Sequence, residues 1–204
     1  IELGSIEKGD ESQVRPLFVG YNVMFVGTMN EDETTQSLSD KVLDRSNVLR
    51  FGKPDFKKEH RVQGKKQNIS VQDFLSSKQW ENWQNSSLSS SDQEKFLPVM
   101  NDINSSLNLV GRAFGRRMFD SIGDYIANYP NWISTRFNDA LADQMEQRIL
   151  PRLRGISEDT DEGAEEALDK IGEIINDTGD QQLADAYSIS RESPVFHFQG
   201  VQRN

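Results

Sequence analysis

The first residues that could contact a phosphate group follow a short apolar run at residues 23–26. Asn30 lies four residues beyond this run, and three acids come directly after it. Adjacent carboxylates behind a buried strand could hold Mg²⁺ and polarise an attacking water. Alternatively, the neutral amide of Asn30 could touch a γ-phosphate without adding negative charge, because ligands of open α/β sheets bind at the strands' C-terminal ends. A polar surface loop is the third interpretation.

Arg45 is the second candidate, because it stands where a short helix is predicted to end. A guanidinium is always charged, and its rigid fork of donors fits phosphate oxygens. Supplied from a neighbouring subunit, it would stabilise the charge that develops on a transferred phosphoryl group. The alternative is a structural arginine that pairs with Asp40 or Asp44, or that caps the helix carbonyls.

Three arginines in the segment VGRAFGRRMF form the third candidate group. Phe114 and Met118 turn one helix face toward a core. Arg112 and Arg116 share another face because they are four residues apart, and Arg117 lies about a quarter-turn further round. Positive charge near a helix N-terminus opposes the macrodipole, which favours an anionic partner there. A solvated arginine face is the alternative.

The elements that would position Asn30 and Arg45 are predicted to belong to a parallel α/β sheet. Residues 23–26 are apolar on both faces and are bounded by glycines, which predicts a central strand. Ser39 can cap a short helix that ends near residues 45–47. Residues 48–51 predict a second strand, closed by glycine and proline.

The remainder of the chain is predicted to be helical. Apolar stripes at three- and four-residue spacing cover residues 114–129, 133–149 and 164–175. Residues 53–69 predict a basic surface loop. Trp80 and Trp83 are three apart on a further helical segment, where they could either stack on nucleic-acid bases or pack a small helical layer.

The amino-acid composition limits which kinds of functional site the chain can form. The 204 residues include no cysteine and only two distant histidines, His60 and His197, so no thiolate- or histidine-based metal site is predicted. Residues 156–190 carry eleven acids against one lysine, which equals the chain's net charge of −10. No apolar run reaches the roughly 18 residues of a membrane span, so we expect a cytoplasmic protein without membrane contact.

The order of these motifs resembles the McrB-like branch of AAA+ ATPases. The resemblance rests on GTMNEDETTQSLSDKVLDR, residues 27–45, and on RILPRLRG, residues 148–155, with FGRRM between them. It implies that Asn30 is the sensor 1 residue, Arg45 the arginine finger, and Arg117 the sensor 2 arginine. Arg112 and Arg116 are the neighbouring candidates for contact with the nucleotide.

The resemblance also implies a fold: an α/β fragment with the last strands of an AAA+ core, followed by an all-α lid. Residues 1–52 would complete the core, residues 53–108 would be an insertion, and residues 109–204 would form the helical lid with an acidic end. No G-x-x-x-x-G-K-[ST] sequence occurs in the chain. We therefore expect the Walker A and Walker B motifs upstream, and no hydrolysis by this chain alone.

For the parent protein the resemblance implies a homo-oligomeric ring that uses ATP or GTP with Mg²⁺ and acts in DNA restriction, with a nuclease subunit as partner and only indirect contact with DNA. No nucleotide is expected to stay bound to this chain alone. The competing hypothesis is a non-enzymatic interaction module that binds protein or nucleic acid. It draws on the basic loop, the two tryptophans and the acidic segment.

Overall fold

Six α-helices account for most of the residues that the computed structural model describes, which are 19–20, 23–29, 42, 45–49, 75–84 and 87–201. They are α1 (Ser77–Trp83), α2 (Ser90–Leu109), α3 (Arg116–Ala127), α4 (Arg136–Gln144), α5 (Ala164–Thr178) and α6 (Gln181–Arg191). A π-helical turn (Met145–Ile149) and a 3₁₀ turn (Leu150–Leu153) continue α4. The chain divides into two units, Ile1–Ser37 and Leu38–Asn204, and all six helices belong to the second.

The central helix of the second unit is α2, which begins at a side-chain cap and runs through a proline. Ser89 Oγ accepts a hydrogen bond from the Asp92 backbone N–H, and Pro98 lies inside the helix. One face of α2 buries apolar side chains at alternating four- and three-residue spacing: Phe96, Met100, Ile103 and Leu107. Each such buried side chain contributes about 1.5–3 kcal/mol relative to an exposed one. This face packs chiefly against α5.

The helices α3 and α4 pack against each other. Arg136, at the start of α4, donates through Nη2 to the Ile126 carbonyl near the end of α3 at 2.9 Å. The neighbouring Tyr125 donates through Oη to Asp143 Oδ2, near the end of α4, at 2.9 Å. Arg136 Nη2 also lies 3.1 Å from Asp92 Oδ2, so one largely buried guanidinium joins the start of α2 to the α3–α4 connection.

The segment after α6 packs against the core. Phe196 pairs with the 155–156 backbone, through Phe196 N–H to the Ile156 carbonyl at 2.7 Å and Gly155 N–H to the Phe196 carbonyl at 3.0 Å. Phe196, Phe198 and Val201 are each 2% exposed. Arg191 fixes the end of α6 through Glu158 and Asp169, at 2.8 and 2.7 Å. This packing holds α5 and α6 against the rest of the unit.

The expectation of AAA+ core strands is wrong: no β-strand occurs in the described residues. Residues 23–26 have no regular structure, and their side chains are exposed rather than buried, from 48% for Val23 to 90% for Val26. Residues 48–49 of the second expected strand are likewise irregular. A strand needs a neighbour to satisfy its backbone groups, and the described residues supply none. The chain's fold is therefore helical where it is described.

Of the three helices predicted from apolar stripes, two are confirmed and one is confirmed only in part. The stripes at residues 114–129 and 164–175 are confirmed as α3 and α5. The stripe at residues 133–149 forms α4 only as far as Gln144 and then widens into the π-helical turn. The segment with the two tryptophans is α1, which buries none of its residues, so the expected packing of a small helical layer is not seen.

Tyr187 makes the stability of this fold sensitive to alkaline pH. Its hydroxyl donates to the Leu168 carbonyl between α6 and α5, and burial is the main cause that raises the pKa of Tyr187 above its ordinary value of 10.0. Because the folded state holds this proton more tightly than the unfolded chain, stability is complete below pH 10 and falls as the pH rises above it. Urea unfolding from pH 8 upward should show a shallower loss for Tyr187→Phe than for the wild type. Equal losses would contradict the prediction.

Candidate functional site

A cluster of positively charged side chains lines a cavity of about 480 Å³ in the second unit. We call it the arginine cavity. Its described lining comprises four arginines and three smaller contributors: Arg45, Arg117, Arg148, Arg152, Gly115, Met118 and Ser121. None of these residues is a carboxylate. The described part of the cavity wall is therefore cationic within a chain whose net charge is −10.

Two of the arginines singled out from the sequence meet in this cavity. Arg45 and Arg117 lie far apart in the chain yet line the same space. Arg112 and Arg116 do not line it. Arg116 instead pairs with Asp120 at 2.8 Å and stacks over the Phe119 ring. Asn30, the predicted sensor 1 residue, lies outside the described residues.

Arg117 reaches the cavity from the first turn of α3. This helix begins at Gly115, which provides no side-chain cap. Its backbone is extended, and a Cβ added there would meet nothing within 4 Å. The first-turn amides and the Arg117 guanidinium thus bring positive charge to one place, which is unfavourable without an anion. The Arg117 side chain has no hydrogen-bond or ion-pair partner among the described residues.

Arg148 and Arg152 reach the cavity from the irregular turns that follow α4. Arg148 lies in the π-helical turn, and Arg152 lies in the 3₁₀ turn that begins at Leu150. Gln144 Oε1 accepts a hydrogen bond from Arg148 Nε at 2.9 Å. Sequence reasoning gave these two arginines no role. Their four-residue spacing in RILPRL was a signal that could have identified them.

Arg45 stands in a turn that local hydrogen bonds define. Val42 is helical, and its carbonyl accepts from Arg45 N–H and Ser46 N–H at 3.0 Å each and from Ser46 Oγ at 2.8 Å. Asn47, which follows Ser46, accepts a long hydrogen bond of 3.5 Å through Oδ1 from Arg148 Nη2. The turn that carries Arg45 is therefore connected to Arg148, which also lines the cavity.

The chemistry of this lining is recognition of oxyanions. Arginine forks bind phosphate or carboxylate oxygens through paired, charge-assisted hydrogen bonds. Several of them around one cavity also raise the local concentration of anions. The described residues contain no group of three or more histidine, cysteine or acidic side chains that could hold a metal ion. They also contain no helix long and apolar enough to cross a membrane.

Comparison with known proteins gives one match. A family model described as "Domain of unknown function (DUF8727)" matches residues 64–193. This range includes Arg117, Arg148 and Arg152 of the cavity, but not Arg45. No curated protein and no solved structure matches the chain.

Substitutions at Gly115 test whether the cavity concentrates positive charge. Both Gly115→Asp and Gly115→Asn can cap the first turn of α3, because there is space for a Cβ. Only the aspartate adds a negative charge, so it should be the more stable by about 0.3–1 kcal/mol at low salt. The difference should shrink at high salt because surface charges are screened. Urea unfolding of both variants at two salt concentrations checks this, and equal stabilities at low salt would contradict it.

Proposed function

Since the family match spans more than half of the 204 residues, the chain belongs to the DUF8727 family, and we propose that its arginine cavity binds the phosphate groups of a nucleotide. One observation carries the proposal: Arg45 and Arg117, selected from the sequence for phosphate contact, line the same cavity. Arg148 and Arg152 complete a lining without acids among the described residues. Such a lining favours a ligand with several negative charges over a neutral one.

The geometry supports binding and charge stabilisation. Each guanidinium can offer two parallel N–H donors to a phosphate, and charge-assisted bonds of this kind are about twice as strong as neutral ones. Where charge develops on a transferred phosphoryl group, such donors lower the barrier. The described lining offers no carboxylate to hold Mg²⁺ or to act as a general base. The metal that ATP or GTP carries would therefore need ligands from elsewhere.

The biological setting we propose is a cytoplasmic, ring-forming nucleoside triphosphatase of the McrB-like kind, to which this helical domain contributes arginines. Support comes from the order of Asn30, Arg45 and Arg117 along the chain. One feature differs from the expected arrangement. An arginine finger acts on a neighbour's nucleotide, whereas Arg45 shares its cavity with Arg117, and we propose that both contact one ligand. The α/β core is not part of this proposal.

Arg117 and Arg116 form a matched pair for testing the proposal. They are adjacent on α3, but only Arg117 lines the cavity. Arg117→Gln should weaken binding of pyrophosphate, ATP or GTP about ten- to hundredfold, the effect of losing a bidentate charged contact. Arg116→Gln should leave the affinity within about twofold, because its charge is already paired with Asp120. Isothermal titration calorimetry without Mg²⁺ measures both.

Three results would contradict this prediction. Equal weakening in both variants would indicate general attraction of anions rather than a site. Unchanged binding in Arg117→Gln would indicate that the ligand binds elsewhere on the chain. Absence of binding to the wild-type chain would remove the proposed function altogether.

A second candidate function, a module that binds nucleic acid without hydrolysis, is favoured by α1. This helix buries none of its residues and leaves Trp83 66% exposed and Trp80 39% exposed. Exposed tryptophans can stack on the bases of a single strand, each worth about 1–3 kcal/mol. The arginines could contact its phosphates.

Trp83 and Trp132 allow a controlled test of this second function. Trp132 is 82% exposed but lies between α3 and α4, away from α1 in sequence. Trp83→Ala should weaken binding of a fluorescent single-stranded oligonucleotide about five- to hundredfold, whereas Trp132→Ala should not. Anisotropy titrations should also show affinity falling with salt. Failure of the wild-type chain to bind at low salt would exclude this function.

A further inference from the structure

Gln144 is a buried polar residue that does not line the arginine cavity itself. It forms a hydrogen bond with Arg148, which does line the cavity. It is the last residue of α4 and is 0% exposed. Its Oε1 accepts the hydrogen bond from Arg148 Nε, whereas its buried Nε2 has no hydrogen-bond partner in the described part of the chain. Arginine has donors only, so this contact fixes which way the Gln144 amide points.

The identity of this residue requires an explanation, because an unsatisfied buried amide nitrogen is costly. An apolar residue would avoid that cost but would leave Arg148 Nε without its acceptor. A glutamate would keep an acceptor but would add a negative charge beside the cavity. Glutamine alone among these choices orients the guanidinium and leaves the charge of the wall unchanged.

The local backbone supports a functional reading of the pair. The π-helical turn starts directly after Gln144 and contains Arg148. Such turns are rare, and they occur frequently at functional sites. The same Arg148 guanidinium also approaches Asn47, two residues from Arg45. The hydrogen bond at Nε therefore also affects where the Arg148 guanidinium lies relative to the turn that carries Arg45.

We propose that Gln144 is a positioning residue that holds the Arg148 guanidinium in the orientation that receives a ligand phosphate. This inference rests on the proposed binding of phosphate groups in the cavity. It predicts that Gln144 influences affinity through Arg148 alone, without contact with the ligand.

Substitution by methionine separates positioning from packing. Gln144→Met keeps the length and burial of the side chain but removes the acceptor. Its affinity for pyrophosphate should fall about tenfold, the factor expected for one hydrogen bond to a charged group. The matched control is Gln147→Met, on the same turn, where the side chain is 7% exposed and does not line the cavity. Affinity should be unchanged in that control.

Two further variants test whether Gln144 changes the ligand affinity through Arg148. Gln144→Glu retains an acceptor but adds a charge, so it should also weaken pyrophosphate binding, and more so at low salt. In an Arg148→Met background, Gln144→Met should cause no additional loss, because the partner it positions is gone. The NMR signal of the Arg148 Nε–H should be protected from solvent exchange in the wild type and lose protection in Gln144→Met. Circular dichroism confirms that each variant is folded.

The outcomes distinguish this inference from the function on which it rests. Wild-type binding that Gln144→Met leaves unchanged would overturn the positioning role while the phosphate site stands. Equal losses in Gln144→Met and Gln147→Met would assign the effect to packing and overturn the role as well. A wild-type chain that binds no pyrophosphate would overturn both. If Gln144→Met does not fold, the exchange of the Arg148 Nε–H in the wild type decides, and an unprotected signal would overturn the role.

Discussion

The packing of α3 against α4 and the turns that follow it sets the position of every arginine in the cavity except Arg45. Near the connection between the helices, Arg136 joins the Ile126 carbonyl and Asp92. The neighbouring Tyr125 donates to Asp143 near the end of α4. In this packing the start of α3 lies beside the turns that follow α4. Arg117 consequently shares a cavity with Arg148 and Arg152.

Several departures from ordinary helix chemistry lie around this cavity. Side-chain caps begin α1, α2 and α6, through Ser76, Ser89 and Asp180, whereas α3, α4 and α5 begin without one. At the cavity, α3 begins uncapped with positive charge in its first turn, α4 passes into a π-helical turn, and the Gln144 Nε2 is unsatisfied. Local rules broken together at one place are expected where a site, rather than stability, determines the residues.

Much of the helical part could be predicted because its signal is local. The apolar stripes of α3 and α5 repeat at helical spacing, and burial of that face decides the structure. The strand at residues 23–26 failed for the opposite reason. Its composition suits a buried strand, but a strand forms only when another chain segment pairs with it, and composition does not reveal that partner.

The site was predictable only in part, for a related reason. Arg117 was identifiable because its charge opposes the helix dipole, which is a local conflict. Arg148 and Arg152 have no such conflict in their own segment. Their importance arises from the pairing of α3 with α4, which brings them opposite Arg117. The π-helical turn was equally hidden, because the apolar stripe at residues 133–149 continues through it without a break.

The shared cavity changes what the arginines can be expected to do. If Arg45 served a neighbour's nucleotide and Arg117 its own, their guanidiniums would face different ligands. In this chain they face one space, and the described lining adds two more arginines but no acid. The described part of the lining offers guanidinium donors but no carboxylate, so it can hold a phosphate and stabilise its charge. This geometry supports the proposed ligand recognition by the domain, with any activation of water dependent on groups other than these described residues.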